Sequence, residues 1–211
     1  MMPSDLPLSL PWIDRLVRFD TTSRLSNLGL VEAVRDHLAT AGHSPRLFHN
    51  ADRTKANLFV TLPAHDGGTQ GGIVLSGHTD VVPVDGQDWS SDPFVPVVRD
   101  GRLYGRGVCD MKGFIGVALA MLPVFAARRL RVPLHLAFSY DEEVGCLGAD
   151  AMLRELARIG IRPDSCIVGE PTEMRVISAH KSSNLYRCTV HGHAAHSSLT
   201  AHGVNAIEYP A

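Results

Sequence analysis

The sequence predicts an α/β fold, a sheet with helices on its faces. Three observations carry that reading. Between about residues 57 and 170, short apolar runs of strand type alternate with stretches whose apolar residues recur at helical spacing, the order expected of a sheet covered by helices. Glycines and Asp-Gly pairs punctuate these runs where helices stop and hairpins turn. Finally, several apolar runs switch abruptly to histidine or acidic residues, at the strand ends where open α/β sheets bind ligands.

Residues 11–19 (PWIDRLVRF) and 28–41 (LGLVEAVRDHLATA) read as helices, and Gly42 stands where a glycine would stop the second. Residues 57–63 (NLFVTLP) read as a strand, and 65–72 (HDGGTQGG) as a turn-rich loop before the strand "IVLSG". Residues 94–105 (FVPVVRDGRLYG) suggest a hairpin with Asp100-Gly101 as its positive-φ turn. Residues 111–129 have helical apolar spacing through Phe114, Val117, Ala118 and Met121, with Pro123 placed to kink or shorten the helix. A strand over 132–140, a helix over 148–160 ended by glycine and a strand over 165–170 complete the alternation. After 172 the pattern changes: 175–192 reads as consecutive strands and 203–209 as the start of a helix. The expected organisation is therefore one domain over 1–179 and the opening of an α+β domain over 180–211.

The bulk composition narrows the function classes. The chain has 211 residues, 45% hydrophobic and 20% charged, which is ordinary globular composition. Its formal net charge of -2 supplies no electrostatic case for nucleic acid or an anionic membrane. No run of 18 apolar residues suggests a membrane helix, and the first residues lack the basic and apolar regions of a signal peptide. Cys109, Cys146, Cys166 and Cys188 are widely spaced without a CxxC pair, as expected of reduced thiols in a cytoplasmic protein.

Chemistry collects at the strand ends. His78 and Asp80 follow "IVLSG", Asp141, Glu142 and Glu143 follow "LAFSY", Glu170 follows "CIVG", and Asp110 precedes the helix after "YGRGVC". Several carboxylates brought together repel, and a divalent cation removes the conflict. Imidazole with carboxylates suits zinc, or cobalt or manganese, and Asp80 is spaced to hold the second ring nitrogen of His78. Singly, each signal is weak. His-x-Asp occurs by chance, adjacent glutamates usually form a solvated face, and the Gly105/Gly107 pair lacks the rest of a phosphate loop. His191, His193, His196 and His202 read by default as exposed histidines. The joint placement of four such segments is the stronger observation.

Together, "SGHTDVVPVDGQDWSSDPF", "DGRLYGRGVCDMKG", "SYDEEVGCLGA", "VGEPT" and "GHAAHSSLTAHGVNAIE" resemble the acetylornithine deacetylases. These lie within a wider family of two-metal amidohydrolases that includes succinyl-diaminopimelate desuccinylase, aminoacylase and carboxypeptidase G. The resemblance implies a zinc-peptidase-like catalytic domain with a mixed sheet and helices on both faces, then the start of a lid and dimerisation domain. It implies two divalent metal ions, zinc or cobalt, with His78 and Glu170 on the first, Glu143 on the second and Asp110 bridging. It further implies Glu142 as general base, Asp80 as orienter of His78, a cis peptide after Asp110, and His196 as an oxyanion donor supplied across a homodimer. The implied reaction is deacetylation of N-acetylornithine in arginine biosynthesis. The family's second metal takes one more histidine, late in a longer chain, that no residue here matches; the chain is expected to be an N-terminal, truncated part. Alternatives are another activity of the family, a catalytically impaired remnant holding one metal, and a nucleotide-binding module using the glycine-rich turn.

Overall fold

The computed structural model describes residues 8–179, 181 and 186–208. In chain order the elements are α1 (Leu10–Val17), α2 (Leu28–Thr40), β1 (Arg46–His49), β2 (Ala56–Leu62), β3 (Ile73–His78), β4 (Val97–Arg99) and β5 (Arg102–Tyr104). Then follow α3 (Lys112–Ala120), α4 (Leu122–Ala126), β6 (Leu134–Ser139), α5 (Leu147–Arg158), β7 (Ser165–Val168) and a short 3-10 turn at Thr200–His202.

Local chemistry accounts for most of these boundaries. Pro11 lies in the first turn of α1, where its missing N–H has no helical partner to lose. Helix α2 ends as expected at Gly42, whose φ is 85°. Its N–H donates to the Ala39 carbonyl, and the His43 N–H reaches back to the Leu38 carbonyl. Gly160, at φ 77°, closes α5 in the same way, with Ile161 donating to Leu156. Both ends are Schellman caps, which need a residue in the left-handed region. Asp100 and Gly101, both at positive φ, turn the β4–β5 hairpin. The expected helix over 111–129 is instead two helices, broken at Met121. Pro123 falls in the first turn of α4, where it is tolerated.

Among the described residues, five strands form one mixed sheet in the order β1-β2-β6-β3-β7, and β4 with β5 makes a separate two-stranded ribbon. β1 and β6 each pair antiparallel with β2, whereas β3 runs parallel to both β6 and β7. Alternation of side chains across the sheet divides the core. Leu58, Val60, Leu62, Leu136 and Phe138 face one side and pack with Leu16, Leu30, Val34, Leu38, Ile115 and Leu119 of α1, α2 and α3. Phe59, Val74 and Ala137 face the other side and pack with Met152 and Leu156 of α5. Helices therefore cover both faces, as the resemblance implied. The buried ring of His135 belongs to this architecture: it contacts Thr61 Oγ1 and the Gly71 carbonyl and stacks on Phe59.

The described residues fall into two compact units, divided between Met174 and Arg175, a few residues before the boundary read from sequence. In the second unit, the strands expected over 175–192 are absent among the described residues; 180 and 182–185 lie outside them. Instead His193 and Val204 form a single antiparallel bridge. An extended segment without a neighbour gains no ladder hydrogen bonds. Residues 206–208 form a turn in place of the expected helix start, and 209 lies outside the described residues. An isolated helical turn leaves most of its backbone groups unpaired, so nucleation is unfavourable. Among the described residues, no helix is long and apolar enough to cross a membrane.

Candidate metal centre

Strand order makes the site. β3 lies between β6 and β7 and is parallel to both, so the carboxyl ends of all three open at one sheet edge. His78 ends β3 opposite Ser139, two residues before Asp141. Glu170 follows β7 by two residues, after the Gly169 N–H donates to the Ser76 carbonyl. Asp110 arrives from the loop before α3, and the Asp110–Met111 peptide is cis, as the resemblance implied.

His78 is buried at 2% exposure, and its ring nitrogens have separate partners. Nδ1 lies 2.9 Å from the main-chain oxygen of Asp80, with the Asp80 carboxylate 3.6 Å away. The orienting hydrogen bond is therefore made by the Asp80 carbonyl, where the spacing had suggested the side chain. Nε2 faces the acids: Asp110 Oδ1 at 2.9 Å, Glu170 Oε1 at 3.7 Å and Glu142 Oε2 at 4.0 Å. The carboxylate of Asp80 has another task. Its Oδ1 accepts the Glu142 N–H at 3.0 Å, and its Oδ2 accepts the Glu143 N–H at 3.3 Å and the Ser23 hydroxyl at 2.7 Å.

The donor set fits a divalent cation. Potential ligand atoms of His78, Asp110 and Glu170 all lie within 4.8 Å of one another, as do those of His78, Glu142 and Glu143. With Nδ1–H donating to a carbonyl, Nε2 and Asp110 Oδ1 are both acceptors, so a proton or a cation must sit between them. Tetrahedral ligands at zinc-like bond lengths of about 2.0–2.2 Å stand about 3.3 Å apart, within the range of separations seen here. The electrostatics agree. Burial and the nearby Asp110 and Glu142 charges raise the carboxyls of Glu143 and Glu170 above their usual range, while His78 pulls the other way. Burial disfavours a charged His78, but polar contact with Asp80 and the charges of Asp80 and Glu170 outweigh it and raise the ring to about 9. Burial would raise Asp80 too, yet the polar contacts from His78, Ser23 and the Glu142 N–H hold it below the usual carboxylate range.

Of the residues singled out from sequence, His78, Asp80, Asp110, Glu142, Glu143 and Glu170 belong to this one cluster. Glu142 and Glu143 share a group with His78, and Asp110 acts on Glu143 through its charge. His196 lies in the second unit, exposed, with Nδ1 2.9 Å from Ser198 Oγ. Two participants were not foreseen. Ser23 comes from a loop whose sequence carries no signal. Lys112 stands inside the quoted "CDMKG", and its full burial marks it only in the structure. Its Nζ donates to the Phe19 carbonyl at 2.7 Å; burial lowers it to about 7, partly offset by Asp20 and Asp80.

Residues 74–207 match the family described as Peptidase family M20/M25/M40, and the chain belongs to that family. Among curated proteins it is similar to the acetylornithine deacetylase of Proteus mirabilis (strain HI4320), 40% identical over 192 residues that make up 90% of this chain and 47% of that protein. Its fold is similar to that of human carnosine dipeptidase 1, with a TM-score of 0.63 at 21% identity over 76% of this chain and 38% of that one. It is also similar to a tripeptidase from Staphylococcus aureus, with a TM-score of 0.61 at 19% identity over 95% and 53%. The chain spans about half the length of the curated relatives it matches.

Proposed function

We propose that this chain carries the metal-binding and proton-transfer groups of a metal-dependent hydrolase of N-acyl amino acids. N-acetylornithine is the proposed substrate, in arginine biosynthesis in the cytoplasm, and the acting form is a homodimer. The observation that carries the reading is the meeting of His78, Asp110 and Glu170 at one sheet edge, with Glu142 and Glu143 beside them. The deacetylase relatives support the choice of substrate.

In this reading His78, Asp110 and Glu170 hold one divalent cation, zinc or cobalt, and Asp110 with Glu143 holds a second. Bound there, such cations supply Lewis-acid polarisation of the amide carbonyl and a lowered pKa for water. The remaining work falls to the chain. Glu142, its backbone seated by Asp80, takes the proton of the attacking water and returns it to the departing amine. Asp80 holds His78 through its main-chain oxygen, leaving Nε2 free for the cation. The partner's His196 donates a hydrogen bond to the developing oxyanion.

The test is calorimetric titration of the chain and of His78→Ala with Zn2+ and Co2+, alongside an assay of acetate release from N-acetylornithine. One tight site is expected, with a weaker second, because three donors serve the first and two the second. His78→Ala should weaken the tight site more than about tenfold, since a direct ligand is lost. No cation binding by the unmodified chain, or an unchanged His78→Ala, overturns the metal assignment. Cation binding with no acetate released by any assembly containing this chain overturns the substrate.

A further inference from the structure

The proposed ligands are held by a web that begins far from them in sequence. Loop 19–23 runs beside the chain leaving β3. The Ser23 N–H donates to the Val81 carbonyl at 3.1 Å, and the Val81 N–H donates to the Thr21 carbonyl at 3.2 Å. The Thr21 hydroxyl donates to the Thr79 carbonyl at 2.5 Å. The Ser23 carbonyl accepts from the Lys55 ammonium, which also pairs with Asp141 at the end of β6. Ser23 is thus tied by its backbone to the segment leaving β3 and, through Lys55, to the segment leaving β6, two of the three strands that deliver the proposed site. Ser23, Thr21, Thr79 and Asp80 are all buried.

Its side chain adds a specific contact. The Ser23 hydroxyl has one proton and two acceptors in reach, Asp80 Oδ2 at 2.7 Å and the Val81 carbonyl at 3.4 Å. The shorter contact, to a charged oxygen, takes the proton. Without it, Oδ2 keeps only the 3.3 Å bond from Glu143 among the described contacts. The carboxylate could then turn, although it must accept from two adjacent backbone amides at once. We infer that Ser23 is a positioning residue for the proposed metal and proton-transfer site. Its hydroxyl locks the Asp80 carboxylate, so that one residue seats the Glu142–Glu143 backbone with its side chain and orients His78 with its carbonyl. This inference rests on the metal-dependent reading above, and it extends that site to a residue 55 positions before His78.

The test uses the full chain as wild type, Ser23→Ala, Ser23→Thr and Ser23→Cys, with thermal melting to confirm folding. Amide hydrogen exchange at Glu142 and Glu143, with no metal added, should be faster in Ser23→Ala and restored in Ser23→Thr. Zn2+ affinity should fall by about tenfold in Ser23→Ala, at the low end for a supporting contact. The visible spectrum of bound Co2+ should change with it, and Ser23→Thr should recover both. A purely structural serine would shift melting and leave these readouts alone in the folded protein. If Ser23→Ala does not fold, Ser23→Cys, which keeps the branching of the side chain and weakens the donor, is compared with Ser23→Thr on the same readouts. Unchanged amide exchange and unchanged affinity in a folded variant overturn the inference while the metal reading stands. A wild type that binds neither Zn2+ nor Co2+ overturns the metal reading, and the inference falls with it.

Discussion

Glu142 and Glu143 are neighbours whose backbones are held by one carboxylate, yet their proposed roles differ. Glu142→Gln should keep the tight cation site, since none of its three donors is lost, and should lower turnover of a competent assembly at least about a hundredfold. Glu143→Gln should instead empty the weaker site. Metal content by elemental mass spectrometry separates the two, and metal loss confined to Glu142→Gln would mean the roles are exchanged. Lys112 makes a different prediction. Its folded value of about 7 lies below the ordinary 10.5, so between pH 7 and 10.5 the unfolded chain binds a proton that the folded chain has released. This group's contribution to stability therefore rises with pH across that window, and its cost is fully present below pH 7. His78, raised from 6.5 to about 9, works in the opposite sense: its contribution is present below pH 6.5 and is lost as pH rises through 9. Lys112→Met isolates the lysine. Relative to wild type, the variant should be most favoured near pH 6, and that advantage should shrink towards pH 10. Urea midpoints across this range check it, and a flat difference would show that the buried ammonium does not titrate as described. The charge-bearing residues were legible because histidine and acids directly after apolar runs stand out. Ser23 and Lys112 were not, because a serine in a polar loop and a lysine two residues after an aspartate look like surface.

Among the elements, α1 and α3 approach closely at Gly116. A Cβ there would lie 2.6 Å from Ile13 Cγ1 and 3.0 Å from the Ile13 backbone nitrogen. Backbone cannot swing aside as a side-chain tip can, so Gly116→Leu must push the helices apart, at a cost of about 1–3 kcal/mol. A fall in thermal midpoint, with α3 still helical, is the expected result; an unchanged midpoint would place slack in that contact. Helix ends at Gly42 and Gly160 were readable because a Schellman cap is set by a few consecutive residues. β1 was missed for the opposite reason. Its four residues, Arg46–His49, show no clear alternation and become a strand only by pairing with β2. The break between α3 and α4 was misplaced by a proline that serves a helix start as readily as a helix end.

Across the whole first unit, both outer strands of the sheet are short. β1 and β7 have four residues each, and every residue of β7 is exposed, with Ile167 at 53% and Val168 at 59%. Among the described residues β7 has β3 as its one neighbour in the sheet, so its outer edge offers backbone groups without a strand partner there, beside apolar side chains. The chain should therefore associate at micromolar concentrations. Ile167→Lys should reduce light scattering while changing unfolding free energy by no more than about 0.5 kcal/mol, the usual range for a surface substitution. A wild type that stays monodisperse throughout would contradict the prediction.

Sequence alone determined the type of most first-unit elements, the chemistry available at their ends and the α/β class, because periodicity, caps and turns act over a few residues. It did not determine the second unit, whose expected strands needed partners beyond the local pattern. Only the tertiary structure decided that β3 runs between β6 and β7. That order brings His78, Asp110, Glu142, Glu143 and Glu170 to one edge and lets Asp80 and Ser23 hold each other. Strand pairing across tens of residues is chosen by burial and ladder hydrogen bonds summed over the whole sheet. No short stretch of this chain carries that sum.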